Sequence, residues 1–132
     1  MEKQQVHPFF MFQGEAEEAV NLYQSVFSDV DIPFIERYGP EVEGMEGKIL
    51  RAVIVIKGQE IMCSDSSIQH DFSFTPSISL FITYQDEQEL HDVFTKFSQE
   101  GQIRMPIDNY GFSKQFGWVE DKFGVNWQLN IE

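Results

Sequence analysis

Tyr110, Phe112, Lys114, Phe116 and Trp118 recur at every second position. Successive side chains alternate across a strand, so an extended segment puts all five on one face. That face is aromatic with a single cation, which suits a planar or weakly anionic small molecule. Tyr110, Lys114 and Trp118 are therefore candidates for lining a pocket. The plainer reading is a packed core face with Lys114 at its edge. Phe9 and Met11, with Gln13, share one face of the first predicted strand and are placed to sit opposite. Ser64 opens the polar stretch Ser64-Asp65-Ser66-Ser67, read as a loop whose groups would rim such a pocket.

Other reactive side chains give less. Cys63 is the single cysteine, so no disulfide forms within the chain. A reactive thiol needs a basic neighbour and exposure. None is visible nearby in sequence, and Cys63 reads as a small core residue. His70, in Gln69-His70-Asp71-Phe72, and His91, beside the apolar stripe of a predicted helix, read as surface groups. No nucleophile elbow is present, so no Ser-His-Asp triad can be recognised.

Elements must hold these residues. Val6 to Phe12 is a compact apolar run with three Phe and predicts a buried strand. Gly14 is the expected N-cap of a helix of about 12 residues, with Ala19, Leu22, Tyr23, Val26 and Phe27 at steps of three and four. Strands follow at Ile32 to Tyr38, Ile49 to Ile56 and Glu60 to Ser64, with a solvated loop from Gly39 to Gly47 and a tight turn at Gly58-Gln59. The second half gives a strand at Ser77 to Tyr84 and a helix capped by Asp86 with Glu89 in capping-box position. Leu90, Val93, Phe94 and Phe97 form its stripe, and Gly101 is expected to end it. Strands are expected at Ile103 to Ile107, Phe112 to Asp121 and Val125 to Ile131, the last two joined at Lys122-Phe123-Gly124.

The halves repeat. A shift of 71 sets Phe10 on Phe81, Ala19 on Leu90, Leu22 on Val93, Tyr23 on Phe94 and Val26 on Phe97. One βαβββ unit leaves unpaired sheet edges, and two in one chain can satisfy each other. The expected fold is α+β: two βαβββ modules, at about 6–66 and 76–132 of a single domain of residues 1–132. Their curved, mostly antiparallel sheets would enclose a cavity.

Composition bounds the partners. With 22 Asp and Glu against 9 Lys and Arg, the net charge is −13. Nucleic acid and anionic membrane surfaces would be repelled, since both are bound largely through Lys and Arg. The acids sit mostly at helix starts and in the Gly39 to Gly47 loop, on the outer surface. An anionic ligand inside stays compatible, with Lys114, Arg51 or Arg104 supplying a local positive field. The N-terminus Met-Glu-Lys-Gln-Gln-Val6 shows no signal peptide, and the longest apolar run, about Ala52 to Ile56, cannot span a bilayer. These readings point to a soluble, cytoplasmic protein.

Three stretches carry a family resemblance. One is Phe9-Phe10-Met11-Phe12-Gln13-Gly14 with Ala16-Glu17-Glu18-Ala19-Val20 and Leu22-Tyr23. The second is Asp108-Asn109-Tyr110-Gly111-Phe112-Ser113-Lys114. The third and most specific runs from Phe116-Gly117-Trp118 through Asp121-Lys122-Phe123-Gly124 to Asn126-Trp127-Gln128-Leu129. From about Val6 to Ile131 they resemble the PhnB-like branch of the glyoxalase/bleomycin-resistance superfamily, the vicinal oxygen chelate proteins. That branch also goes by 3-demethylubiquinone methyltransferase-like. The resemblance implies the paired βαβββ fold, in agreement with the repeat, and a homodimer.

Enzymes of the wider superfamily usually bind a divalent metal through His, Glu or Gln. Carried over residue by residue, the ligand positions fall on His7, on Gln128, near Met62 and near Ser77 or Ile78. Only His7 and Gln128 are suitable ligands, and two neutral donors hold Mg²⁺, Mn²⁺ or Zn²⁺ weakly. No Gly-x-Gly-x-x-Gly run serves an S-adenosylmethionine site. The expectation is a cofactor-free protein that binds or sequesters a small molecule. The alternative is a metal-dependent lyase, isomerase or dioxygenase using His7 and Gln128; a purely structural or partner-binding dimer is the third reading.

Overall fold

Pro8 sets where the first strand begins. It has no N–H for a ladder, so β1 covers only Phe9–Phe12 and not the whole run from Val6. Its carbonyl still accepts from the Met62 N–H at 2.9 Å. The structure, a computed structural model, describes residues 4–132. Met1 to Lys3, part of the stretch read for a targeting signal, lie outside the described residues.

The chain forms two units, one reaching to Asp71 and one from Phe72 to Glu132. The first holds β1, α1 (Ala16–Val26), β2 (Val30–Arg37), β3 (Ile49–Ile56) and β4 (Gln59–Asp65). The second holds β5 (Ser79–Thr83), α2 (Glu87–Ser98), β6 (Gln102–Asp108), β7 (Gln115–Glu120) and β8 (Asn126–Ile131). Each unit has one four-stranded sheet, ordered β1-β4-β3-β2 and β5-β8-β7-β6. In each, only the first and last strands of the unit pair in parallel. The two βαβββ modules and the α+β class are as expected.

Asp65 organises the first unit. Its carboxylate is fully buried at the end of β4. Oδ1 accepts the backbone N–H groups of Gly14 at 2.8 Å and Ala16 at 2.9 Å, and Oδ2 accepts that of Ile49 at 3.1 Å. One side chain thus satisfies donors at the start of α1, where negative charge also meets the positive helix end, and at the start of β3. The expected Gly14 cap is replaced by this arrangement. Glu15 is the N-cap without a side-chain bond, and Gly14, at φ +97°, turns the chain toward Asp65. Sequence placed Asp65 in a loop; the structure makes it the last residue of a strand.

α1 packs on β3 and β4. Ala52, Ile54, Ile56, Ile61 and Cys63 are buried on that side. By alternation Arg51, Val53, Glu60, Met62 and Ser64 stand on the opposite, open face.

In the second unit Asp86 caps α2, accepting from the Gln88 N–H at 2.9 Å. The helix stops at Ser98 with Gln99 still helical in φ and ψ, so Gly101 does not terminate it through a left-handed turn. Gly101 is needed for another reason: a Cβ there would collide with the Glu120 carbonyl. Asp121, buried, ties the β7–β8 turn by accepting from Phe123 N at 2.8 Å, Val125 N at 3.1 Å and Trp127 Nε1 at 3.0 Å.

Two expectations need correction. β7 begins at Gln115, not Phe112. Asn109 Oδ1 accepts from the Gly111 N–H at 2.8 Å, an Asx-type turn that bends residues 109–114 into a loop. The shift of 71 holds for the helices but not for the first strands. Phe10 is 8 % exposed and faces α1, whereas Phe81 is 57 % exposed and stands on the open face like Phe9. Three steps separate Tyr84 from the start of α2 where four separate Phe12 from the start of α1, so the strands align at a shift of 72.

Replacing Asp65 by Ala leaves three N–H groups unpaired, two of them buried, and each buried one costs roughly 1–3 kcal/mol. Urea denaturation of Asp65→Ala is expected to show a loss of about 3 kcal/mol or more. Glu43→Ala, on the solvated loop, should stay within about 0.5 kcal/mol of the parent. A loss under about 1 kcal/mol for Asp65→Ala would refute the clasp.

Candidate functional site

The open face of the first sheet carries a continuous row. Phe9 stands in register with Met62, Met62 with Val53, and Val53 with Phe34, one residue from each strand. The next row holds Met11 opposite Ser64 and Arg51 opposite Glu36. On the other side of the apolar row lie Glu60 and His7. A cavity of about 400 Å³ opens here, walled by Phe34, Arg51, Val53, Met62, Glu60 and His7, with Gln5 and Pro33 at its rim.

The Arg51 guanidinium lies over the Phe34 ring, with Cζ 5.1 Å from the centroid. Among the described residues Arg51 makes no ion pair. His7 Nε2 is 3.0 Å from Gln5 Oε1 and 3.4 Å from Glu60 Oε1. Both neighbours accept, so Nε2 carries the hydrogen, and Nδ1 is buried without a partner. The arrangement has a cation at one end, an apolar floor and hydrogen-bond acceptors at the other end.

A second cavity of about 390 Å³ lies near the start of α1, between Gln13, Lys48 and Ser66. Three of its polar side chains, Gln13, Lys48 and Ser66, are already engaged. Lys48 Nζ donates to the Gly14 carbonyl at 3.1 Å, Gln13 accepts the His70 N–H at 2.9 Å, and Ser66 Oγ meets His70 Nε2 at 3.1 Å.

The structure brings His7, Phe9, Met11 and Ser64 onto one face, and it parts the even-spaced set. Phe116 and Trp118 are on β7, with Trp118 in register with Gln128 on β8. Tyr110 and Lys114 lie in the 109–114 loop, so alternation does not apply to them. The Tyr110 hydroxyl donates to the Pro106 carbonyl at 2.6 Å, and its ring meets Phe116 edge-on at 5.9 Å. Trp118 Nε1 donates to Asn126 Oδ1 at 2.9 Å, and Gln128 Nε2 to Ser79 Oγ at 2.8 Å. Arg104, expected as a free cation, is paired with Glu120 at 2.6 Å. At the shift of 72, the place matching His7 is Ser79, not Ser77 or Ile78, and Met62 matches Gln128.

Those four positions supply an imidazole, a thioether, an amide and a hydroxyl. Glu60 adds one carboxylate beside His7, but the Arg51 guanidinium lines the same pocket. This donor set does not fit a divalent ion, which wants several carboxylates or three to four firm nitrogen and sulfur ligands. Among the described residues no group of three His, Cys, Asp or Glu side chains could hold a metal. Sequence reasoning passed over Phe34 and Glu60. Only the strand register, with its irregular step between Asp31 and Phe34, brings Phe34 beside Val53.

The architecture is that of the glyoxalase/bleomycin-resistance class. The family described as 3-demethylubiquinone-9 3-methyltransferase matches residues 4–130, and the chain belongs to it, in the PhnB-like branch of the superfamily. A PhnB protein from Bacillus cereus that bears the same description is 46 % identical, with a TM-score of 0.91 over 98 % of this chain and 100 % of that one. Protein YjdN of Escherichia coli strain K12 is 26 % identical over 137 residues, 94 % of this chain and 92 % of the other. A fosfomycin resistance protein, FosX, from Listeria monocytogenes, solved with Mn(II), is 9 % identical with a TM-score of 0.69 over 98 % and 93 % of the two chains, a likeness of fold alone. Among the described residues no helix is long and apolar enough to cross a membrane.

Cys63 is chemically quiet. Burial, and secondarily the Asp65 charge, push its thiol up to about 11. Native protein at pH 8 should therefore leave Cys63 unlabelled by an aromatic disulfide reagent, and urea should release one equivalent of reacting thiol. Rapid labelling of the native protein would contradict this burial.

Proposed function

We propose that the chain binds a small molecule in the pocket on the open face of its first sheet and holds it without a metal ion. The observation that carries this is the pocket of about 400 Å³, with an apolar row for a floor and an Arg51 guanidinium that makes no ion pair among the described residues. A few placed polar groups on an apolar lining are what fix the orientation of a small ligand. Phe9, Met11 and Ser64 extend that face. Tyr110, Lys114, Trp118 and Gln128 belong to the second unit, and their roles as ligand contacts are secondary in this reading.

Sequestration of the ligand is the favoured activity. A metal-dependent lyase, isomerase or dioxygenase would need donors beyond His7 and Gln128, and the pocket places the Arg51 guanidinium against its single carboxylate, Glu60. Methyl transfer is named in the family's description, yet no Gly-x-Gly-x-x-Gly turn is present in the sequence to support it. A homodimer in the cytoplasm completes the proposal. Exposed Ile78 and Phe81 and the lone buried thiol of Cys63 support it.

A thermal-shift screen against metabolites and antibiotics tests the reading. A compound present at a hundred times its dissociation constant stabilises by about 2.7 kcal/mol, a rise in Tm of roughly 8 °C for a chain of this size. Val53→Trp, which fills the pocket from a half-exposed position, is expected to abolish that shift while keeping the parent Tm within a few degrees. Equal shifts in both proteins would place the ligand elsewhere. Stoichiometric divalent metal bound to both His7 and Gln128 would overturn the metal-free reading.

A further inference from the structure

We propose that the ligand class is an aromatic carboxylate carrying a hydrogen-bond donor at the end opposite its acid. The inference rests on the ligand-site reading above and adds the ligand's chemistry to it. Arg51 is the first reason. Its guanidinium lies over Phe34 at 5.1 Å. Stacking uses the face of the group and leaves its edge N–H donors in their fixed fork, which matches a carboxylate through two parallel bonds. Glu36 stands opposite Arg51 in register but closes no ion pair with it.

The floor is the second reason. Phe9, Met62, Val53 and Phe34 follow one another across four strands. Neighbouring strands are about 4.8 Å apart, so the row is about 14 Å wide. A planar ring covers such a surface with little loss of conformational freedom. Arg51 and Val53 are two residues apart on β3, which puts cation and floor side by side on one face, about 7 Å apart along the strand.

The far end is the third reason. Glu60 is two residues from Met62 on β4, in the direction away from Arg51. Glu60 Oε1, shared with His7 Nε2 at 3.4 Å, and Gln5 Oε1 are acceptors. A hydroxyl or amino group on the ring would meet them, whereas a second carboxylate would meet a like charge. The pocket therefore reads as cation, apolar floor and acceptor in one line, and it discriminates between the two ends of its ligand.

The test uses 4-hydroxyphenylacetate and its neutral amide, with protein labelled at the methionine methyl groups. Met62 reports on the pocket floor, and Met105, on β6 of the second unit, is the control. The acid is expected to move the Met62 signal to saturation and leave Met105 in place. The amide should bind about tenfold more weakly, and Arg51→Gln should bring acid and amide within about twofold of each other. Glu60→Gln should narrow the advantage of 4-hydroxyphenylacetate over phenylacetate. Equal binding of acid and amide to the parent, or an acid preference that survives Arg51→Gln, overturns the proposal. So does a Met62 signal that neither compound moves. The ligand-site reading falls only if no compound of any charge moves Met62.

Discussion

The Asp65 carboxylate is the constraint on which the first unit depends. A buried charge is costly unless it is hydrogen-bonded, and here three backbone N–H groups from two elements converge on it. Tyr38 adds to the same point, donating its hydroxyl to the Asp65 carbonyl at 2.8 Å. The clasp fixes the end of β4 against the starts of α1 and β3. Strand side chains have a period of two, so fixing Asp65 toward α1 also fixes Ser64, Met62 and Glu60 toward the open face. A slip of one residue would bury Glu60 and Met62 under the helix and expose Ile61 and Cys63. The position of the pocket is thus set by a residue that does not line it.

The two units solve the same folding problem differently. α1 is capped from a distance by Asp65, α2 locally by Asp86. On the open face of the second sheet the polar groups satisfy one another: Trp118 with Asn126, Asn126 and Arg104 with Glu120, Gln128 with Ser79. Phe116 gathers Phe81, Tyr110 and Phe112 around itself. The first sheet keeps a guanidinium that makes no ion pair among the described residues, and an acceptor pair, over apolar side chains. A repeated module has therefore diverged in what its polar groups do, and the first unit retains those available to a ligand.

Much of the fold was legible in the sequence. The apolar steps of three and four in Ala19 to Val26 and Leu90 to Phe97 gave both helices, and the largely apolar segment Ile49 to Ile56 gave β3 to the residue. Less of the site was legible. Phe9 and Met11 share a face in the sequence pattern and Ser64 reads as a rim residue, but Phe34 and Glu60 become neighbours of Arg51 only through pairing between strands. Tyr110 and Lys114 misled because even spacing implies a shared face only within a strand, and the Asn109 side chain turns the chain there. Asp65 read as a loop residue because nothing local marks the distant N–H groups it binds. The one-residue difference between Phe12–Ala16 and Tyr84–Glu87 was hidden because the helical repeat dominates the alignment.

In the proposed function a small ligand rests on the open face of the first sheet, oriented by Arg51. A crystal structure of the protein with a bound compound tests it most directly. Ligand density is expected over Val53 and Met62, with an acidic group at hydrogen-bonding distance from the Arg51 guanidinium. Density confined to the cavity beside Lys48 and Ser66, or a ligand held through a metal on His7 and Gln128, would contradict it.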